Sequence, residues 1–363
     1  MKTYNIVVLK GDGIGPEIID AALQVLQVAE KRAGTFQCDF QFHPAGAACY
    51  RQTGVNLSPE TFAACQAADA VLKGPMGLPD VRRADGTEAG LLGGVLRNGL
   101  DLYANVRPVR LFPEVRSALA GKTSGDINYV IVRENTEGAY FSRGQGEVTP
   151  EGVRDMIVIT RAGTERVVRF AFELARTRHG APPSGRKRVT CVDKSNVLRS
   201  FALFRQVFTE VGEAYADIEK DYLYADAAAQ ALVLWPERFD VIVCENFLGD
   251  LLSDLGAATA GGLGFCPGAN LGAKRAVFET THGSAPSLAG QDKANPIAAI
   301  LAGAMMLERL GEEQSARRIR TAIEETLRKK KVQIDSDGCP SAGTKSVTAA
   351  VIRRIAEASE SSQ

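Results

Sequence analysis

Asp250 and Asp254 stand four residues apart in Glu245-Asn246-Phe247-Leu248-Gly249-Asp250-Leu251-Leu252-Ser253-Asp254. On a helix both carboxylates share one face, bordered by leucines. Carboxylates in a semi-apolar setting call for a cation, and hard oxygen donors without His or Cys beside them favour Mg²⁺ or Mn²⁺ over zinc. Two solvated helix acids would show the same spacing, so both readings stand. Arg97, Arg107 and Arg133 each follow apolar neighbours, in Val95-Leu96-Arg97, Asn105-Val106-Arg107 and Val130-Ile131-Val132-Arg133. A guanidinium in such surroundings needs an anionic partner, and its planar fork matches a carboxylate in two-point contact. Local salt bridges to Asp101 or Glu134 would satisfy any one of them; three together point to a dicarboxylate site.

Tyr140 and Lys194 are the acid/base candidates outside the carboxylates. A lysine beside a metal or arginines could be drawn toward neutrality and relay a proton, whereas a surface lysine would do nothing. Of three histidines, only His282 lies in an informative stretch, Glu279-Thr280-Thr281-His282-Gly283-Ser284-Ala285-Pro286, a loop that could wrap a nucleotide. Gly11-Asp12-Gly13-Ile14-Gly15-Pro16-Glu17 follows an apolar run and opens a helical one. It lacks the third glycine of a dinucleotide fingerprint, so a tight structural turn and a ligand-facing turn are equally open.

Short β-rich runs at 6–9, 70–72, 129–132, 156–160, 189–192 and 241–244 alternate with helical patterns at 17–33, 163–176 and 250–257. That order predicts an α/β protein with mainly parallel sheets. Asn295-Pro296 opens a later helix that runs to Leu310 and stops at Gly311. Residues 181–185 read as a surface loop and 359–363 as a frayed tail. The 363 residues hold 45% hydrophobic and 24% charged side chains, enough for a sizeable core and for two domains or one large α/β unit. Forty-three basic residues balance forty-three acidic ones, so no global field recruits nucleic acid or an anionic membrane. Seven cysteines without a C-x-x-C pair, and no signal-like N-terminus, point to reduced thiols and a cytoplasmic location. The uncharged stretch 255–273 carries six glycines and a proline and reads as packed structure, not a membrane span.

Taken in order, the motifs become recognisable. They are Gly11 to Glu17, Asp101-Leu102-Tyr103-Ala104-Asn105-Val106-Arg107-Pro108, Val132 to Gly138 with Tyr140, Asp193-Lys194-Ser195-Asn196-Val197-Leu198, Gly249 to Asp254, and His282 to Pro286 with Ala294-Asn295-Pro296. Over nearly its whole length the chain resembles the β-decarboxylating dehydrogenases, which include isopropylmalate, isocitrate, homoisocitrate and tartrate/D-malate dehydrogenases. The resemblance implies their two-domain α/β fold, unlike a classical Rossmann domain: residues 1–102 and 261–363 form a large cofactor-binding domain around an insert, 103–260, that carries the dimer interface. It implies that Arg97, Arg107 and Arg133 bind the malate carboxylates. Asp250 and Asp254, with Asp226, would hold Mg²⁺ or Mn²⁺. Tyr140, with Lys194 and Asp226 of a neighbouring subunit, would complete catalysis in a homodimer with shared sites. Ile14, Glu279, His282, Gly283, Ser284, Ala285, Ser287 and Asn295 would bind NAD or NADP. A non-catalytic regulatory paralogue, the alternative, would be expected to lose Tyr140, Lys194 or a metal aspartate, and none is lost.

Two departures bear on specificity. Ser287 stands where NAD-using members carry aspartate and NADP-using members lysine; NAD is expected, since only Lys345 could supply a cation for a 2′-phosphate. Gly90-Leu91-Leu92-Gly93-Gly94-Val95, aligned on Arg97, matches neither the glutamate and two leucines of isopropylmalate enzymes nor the serine and asparagine of isocitrate enzymes. Its glycines would leave space or mobility. Arg133-Glu134-Asn135-Thr136-Glu137-Gly138 is closer to homoisocitrate, tartrate and isocitrate enzymes. The expected substrate is a 3-substituted or 3-hydroxy (R)-malate.

Overall fold

A computed structural model describes residues 1–84, 86–90, 92–335 and 338–357. Leu91 of the 90–95 stretch and the 359–363 tail lie outside them. In chain order the elements are β1 (Lys2–Leu9), α1 (Gly15–Ala33), β2 (Phe36–Phe42), α2 (Ala47–Thr53), α3 (Pro59–Ala67), β3 (Ala70–Lys73), α4 (Gly93–Gly99), β4 (Ala104–Arg110), β5 (Asn128–Glu134), the hairpin β6 (Glu147–Thr149) and β7 (Gly152–Arg154), and α5 (Arg161–Thr177). They continue with β8 (Arg188–Asp193), α6 (Arg199–Gly212), β9 (Glu219–Tyr224), α7 (Ala225–Leu234), β10 (Val241–Cys244), α8 (Asn246–Thr259), β11 (Pro267–Leu271), β12 (Ala276–Thr280), α9 (Ile297–Arg309), α10 (Glu313–Arg328) and α11 (Thr344–Glu357).

Ten strands form one sheet in the order β2-β1-β3-β12-β11-β4-β5-β10-β8-β9. Both ends are parallel, as the alternating pattern predicts, but the middle is not: β11 runs antiparallel to β12 and β4, and β4 antiparallel to β5. Residues 156–160 also depart from expectation. They make only a bridge from Val158 to Gly138, because Thr160 turns the chain into α5 by accepting from the Gly163 N–H. The uncharged 255–273 stretch is divided among the end of α8, a 3-10 turn and β11. No helix among the described residues is long and apolar enough to cross a membrane. Six of the seven cysteines are buried.

Side-chain alternation along the strands sorts the core by sheet face. Ile6 and Val8, Val130 and Val132, and Val241 and Val243 join one large cluster that runs along a whole face, covered by α1, α9, α5 and α6. Their neighbours point the other way: Val7 and Leu9 pack with Leu92, Leu96 and Leu100, while Ile131, Ile242 and Cys244 pack with Ala231 and Leu252. These are two separate clusters, and the central strands β12, β11, β4 and β5 present polar residues on that face between them.

The Gly11 to Glu17 motif is a packing turn. Gly11 and Gly13 have φ of 77° and 57°, and a Cβ on Gly13 would lie 2.0 Å from the Ser284 carbonyl oxygen, which accepts the Ile14 N–H at 2.8 Å. Between the glycines, the buried Asp12 carboxylate accepts from the N–H groups of Ala47, Ala48 and Gly77 at 2.7–2.8 Å. At the other end of the chain Asn295 caps α9 by accepting the Ile297 N–H at 3.1 Å. Asp12→Ala would strand three donors, so urea denaturation should show a loss on the order of 3 kcal/mol. An unchanged midpoint would remove Asp12 from this role.

Candidate active site

The polar residues between the two clusters come from adjacent strands in register. Arg133 on β5 faces Asn105 on β4, Asn105 faces Asn270 on β11, and Glu279 on β12 faces Lys73 on β3. The asparagines link up: Asn105 donates to Asn270 at 3.0 Å, Asn135 donates to Asn270 at 3.0 Å, and Asn270 donates to Glu279 at 2.7 Å. Arg107 in turn donates to Asn105 at 3.2 Å. A buried amide chain of this kind fixes the charged groups at its ends.

α8 brings the carboxylates to this row. Glu245 caps the helix by accepting from Phe247 and Leu248, and its other oxygen takes the Ala139 N–H at 2.6 Å, tying the Tyr140 loop to the helix. Burial pushes the Glu245 carboxyl up. Gly249 lets the helix close onto β5: a Cβ there would meet the Arg133 side chain at 2.6 Å. One residue on, Asp250 receives Arg133 in a short ion pair and Arg107 at 3.5 Å, while the Tyr140 hydroxyl donates to its second oxygen at 2.9 Å. Arg107 also donates to Ser253 at 2.6 Å and reaches Asp254 at 3.4 Å. Thus Arg107, Arg133, Tyr140, Asp250 and Asp254 meet in one cluster.

Electrostatics follow from burial. Desolvation and the neighbouring Arg97 and Arg107 push Arg133, only 1% exposed, down to about 9. Burial would raise Asp250, but Arg133 and Arg107 outweigh it and hold the carboxyl below its ordinary range. Asp254 is raised by burial. Burial and the Asp250 charge raise Tyr140, so its hydroxyl keeps its proton well above neutral pH.

Arg97 extends from α4 to Glu279 at 3.6 Å, and that carboxylate also receives Lys73 at 2.6 Å. Against the pull of burial, Lys73 and Arg97 hold Glu279 strongly ionised. Local pairing with Asp101 or Glu134 is not what satisfies the three arginines. Asp101 pairs with Arg166, and Glu134 accepts from Thr136 and Glu137.

Lys194 and Asp226 pair with each other at 2.9 Å, with Asp226 73% exposed. The Lys194 hydrogen bond and that of the Asp226 backbone lower the Asp226 carboxyl. Neither residue has a hydrogen bond or ion pair to the Asp250 cluster among the described residues, and no three His, Cys, Asp or Glu side chains gather there as a metal site within one chain. Asp250 and Asp254 nonetheless fit a hard divalent cation in kind: two carboxylates one turn apart, one of them more than half exposed.

The loop after β12 carries His282, Gly283, Ala285 and Ser287 at least partly open to solvent. Burial pushes the His282 imidazole down. Ser284 is buried, its hydroxyl donated to the Gly77 carbonyl, while Ile14 is 5% exposed and Asn295 serves α9. The sequence motifs assign no role to Lys73, Asn105, Asn135, Asn270, Glu245 or Asn246, the last of which accepts Arg133 Nε at 2.9 Å. For Lys73, Asn135 and Glu245 the available signal was a polar residue at or just past the end of an apolar strand.

The family model for isocitrate/isopropylmalate dehydrogenase matches residues 5–351. The 3-isopropylmalate dehydrogenase of Synechococcus sp. (strain JA-3-3Ab) is 40% identical, with 100% of this chain and 96% of that protein aligned. That of Aquifex aeolicus (strain VF5) is 39% identical over 98% of each. Among solved structures, isocitrate dehydrogenase from Methylococcus capsulatus superposes with a TM-score of 0.85 at 37% identity, covering 97% of this chain and 99% of that one. The TT0538 protein from Thermus thermophilus gives 0.84 at 37% identity, covering 98% and 69%. The chain therefore belongs to the isocitrate/isopropylmalate dehydrogenases, the β-decarboxylating dehydrogenase family.

Proposed function

We propose that this enzyme oxidises and decarboxylates a 3-substituted (R)-malate, with NAD as hydride acceptor and Mg²⁺ or Mn²⁺ as cofactor. The observation that carries the reading is the convergence of Arg107, Arg133 and Tyr140 on Asp250, with Asp254 one turn away. Arg97, Arg107 and Arg133 hold the two malate carboxylates. Lys194, with Asp226 as its relay, takes the substrate hydroxyl proton, and the hydride leaves the same carbon. Loss of the β-carboxylate as CO₂ leaves an enolate whose charge the arginines offset; Tyr140 then delivers a proton to C3. A divalent ion held by Asp250 and Asp254, with Asp226 of a second copy, would supply Lewis-acid polarisation of the hydroxy acid.

Because Lys194 and Asp226 pair away from the Asp250 cluster, the working site is read as shared between two copies. The insert 103–260 is the dimer-forming domain, and 1–102 with 261–363 the cofactor-binding one. Exposed apolar side chains support that reading, since Leu234 and Trp235 at the end of α7, Phe247 and Leu251 on α8, and Val148 and Val153 on the hairpin all belong to the insert. Ile14, Glu279, His282, Gly283, Ser284, Ala285, Ser287 and Asn295 frame the cofactor site. NAD is the preferred cofactor: Ser287 offers no cation, and the Lys345 backbone is tied to Asp292, an acid that would repel a 2′-phosphate.

Chelation should abolish cofactor reduction and Mn²⁺ should restore it, while Asp254→Asn should lower kcat about 10²-fold or more with added metal. Full activity in chelator would exclude the metal role. Tyr140→Phe and Lys194→Met should each be nearly inactive, yet randomly remixed subunits should recover about a quarter of wild-type activity, because half the mixed dimers' sites are intact. No recovery on remixing would mean that each site is built within one chain. The kcat/KM for NAD should exceed that for NADP; a strong NADP preference would refute the cofactor assignment.

A further inference from the structure

The glycines before Arg97 do not leave open space. A Cβ on Gly90 would meet Ala47 and Gly77 at 2.8 Å, and Leu92 is buried in the core. Gly93 and Gly94 in the first turn of α4 are covered by guanidinium-bearing side chains. The Arg97 head group folds over Gly93, whose Cβ would lie 3.7 Å from its Cζ. Arg143 covers Gly94, where a Cβ would be 3.2 Å from Arg143 Cδ and 3.3 Å from Nη1. Any larger side chain at 94 would displace Arg143.

Arg143 lies three residues after Tyr140 on the loop anchored by Glu245. Its backbone sits at φ 37°, a left-handed conformation uncommon for a long side chain, and Gly144 follows at 81°. Its guanidinium has no hydrogen bond or ion pair among the described residues, and although the residue as a whole is exposed, its head group is partly covered where it lies against α4. Burial lowers it first, and the Arg97 charge lowers it further, so the two cations stand within electrostatic reach of each other. Glu134 and Asp250 offset this in part through space, but neither is hydrogen-bonded or ion-paired to Arg143, and the Glu134 oxygens are taken by the Thr136 and Glu137 N–H groups and the Thr136 hydroxyl. Glu279, which Arg97 reaches at 3.6 Å, is bonded more closely to Lys73 at 2.6 Å. Of these two neighbouring guanidiniums, Arg143 thus has no close carboxylate partner and Arg97 has only a long ion pair among the described residues.

Resting on the reading of the reaction above, we propose that Arg143 is a specificity-determining residue that pairs with a carboxylate borne by the C3 substituent. The preferred substrates are then tricarboxylic malates of the isocitrate or homoisocitrate type. Tyr140 delivers the proton to C3, so the loop that carries it brings Arg143 alongside whatever C3 bears. An alkyl substituent there would desolvate an unpaired cation, whereas a carboxylate would accept two parallel N–H bonds.

The test compares kcat/KM for isocitrate, homoisocitrate, 3-isopropylmalate and D-malate in wild type, Arg143→Gln and Arg143→Lys. Wild type should favour one of the tricarboxylates over 3-isopropylmalate. Arg143→Gln should lower that ratio about 10- to 100-fold, chiefly through KM, and Arg143→Lys should restore part of it. Preference of wild type for 3-isopropylmalate, or an equal effect of Arg143→Gln on all substrates, would overturn the proposal. Absence of turnover with every substrate would instead defeat the proposed reaction. Calorimetric binding with Mg²⁺ then decides the role of Arg143: tricarboxylate binding tighter than D-malate binding only when Arg143 is present supports it, and equal binding overturns it.

Discussion

Arg133 is the constraint around which the site is arranged. A guanidinium 1% exposed at the end of a central strand cannot be left unpaired, and it cannot lose its proton cheaply. α8 has to approach closely enough for Asp250 to meet it, which only a glycine at 249 permits, and Glu245 has to cap that helix while holding the Tyr140 loop. Asp250 consequently stays ionised in a partly buried setting, ready to share its charge between arginines and a metal ion. The arginines thereby preset the anion-binding character of the cleft before any substrate enters.

The sheet explains why the cleft lies where it does. One face is apolar from end to end, whereas the other carries two apolar clusters separated by the antiparallel centre. Polar side chains on β12, β11, β4 and β5 can be buried there only because they satisfy one another through the three asparagines. The reversal of direction at β11 and β4 brings segments distant in the chain, near 105 and near 270, into register.

Much of this was legible from spacing. The i, i+4 aspartates lie on one helical face, the apolar runs at 241–244 and 189–192 are strands β10 and β8, buried inside the sheet's edge, and Asn295-Pro296 opens a helix. Three arginines after apolar residues marked the anionic site, although the partners are Asp250, Asp254 and Glu279 and not the nearby Asp101 or Glu134. What could not be read was tertiary: residues 156–160 have a strand's composition but no neighbour to complete a ladder, and glycines that looked like open space are covered by arginine side chains. The antiparallel centre leaves no local signature either, since β4 and β11 are joined across more than 150 residues.

The central claim is that one hydroxy-diacid and one divalent ion sit together against Asp250, Asp254 and the arginines. Anomalous scattering from Mn²⁺ in crystals grown with substrate measures this most directly. The account predicts one peak per protomer, about 2.0–2.6 Å from oxygens of Asp250 and Asp254, with substrate carboxylates against Arg107 and Arg133. A peak at some other group of residues, or substrate bound away from these arginines, would contradict it.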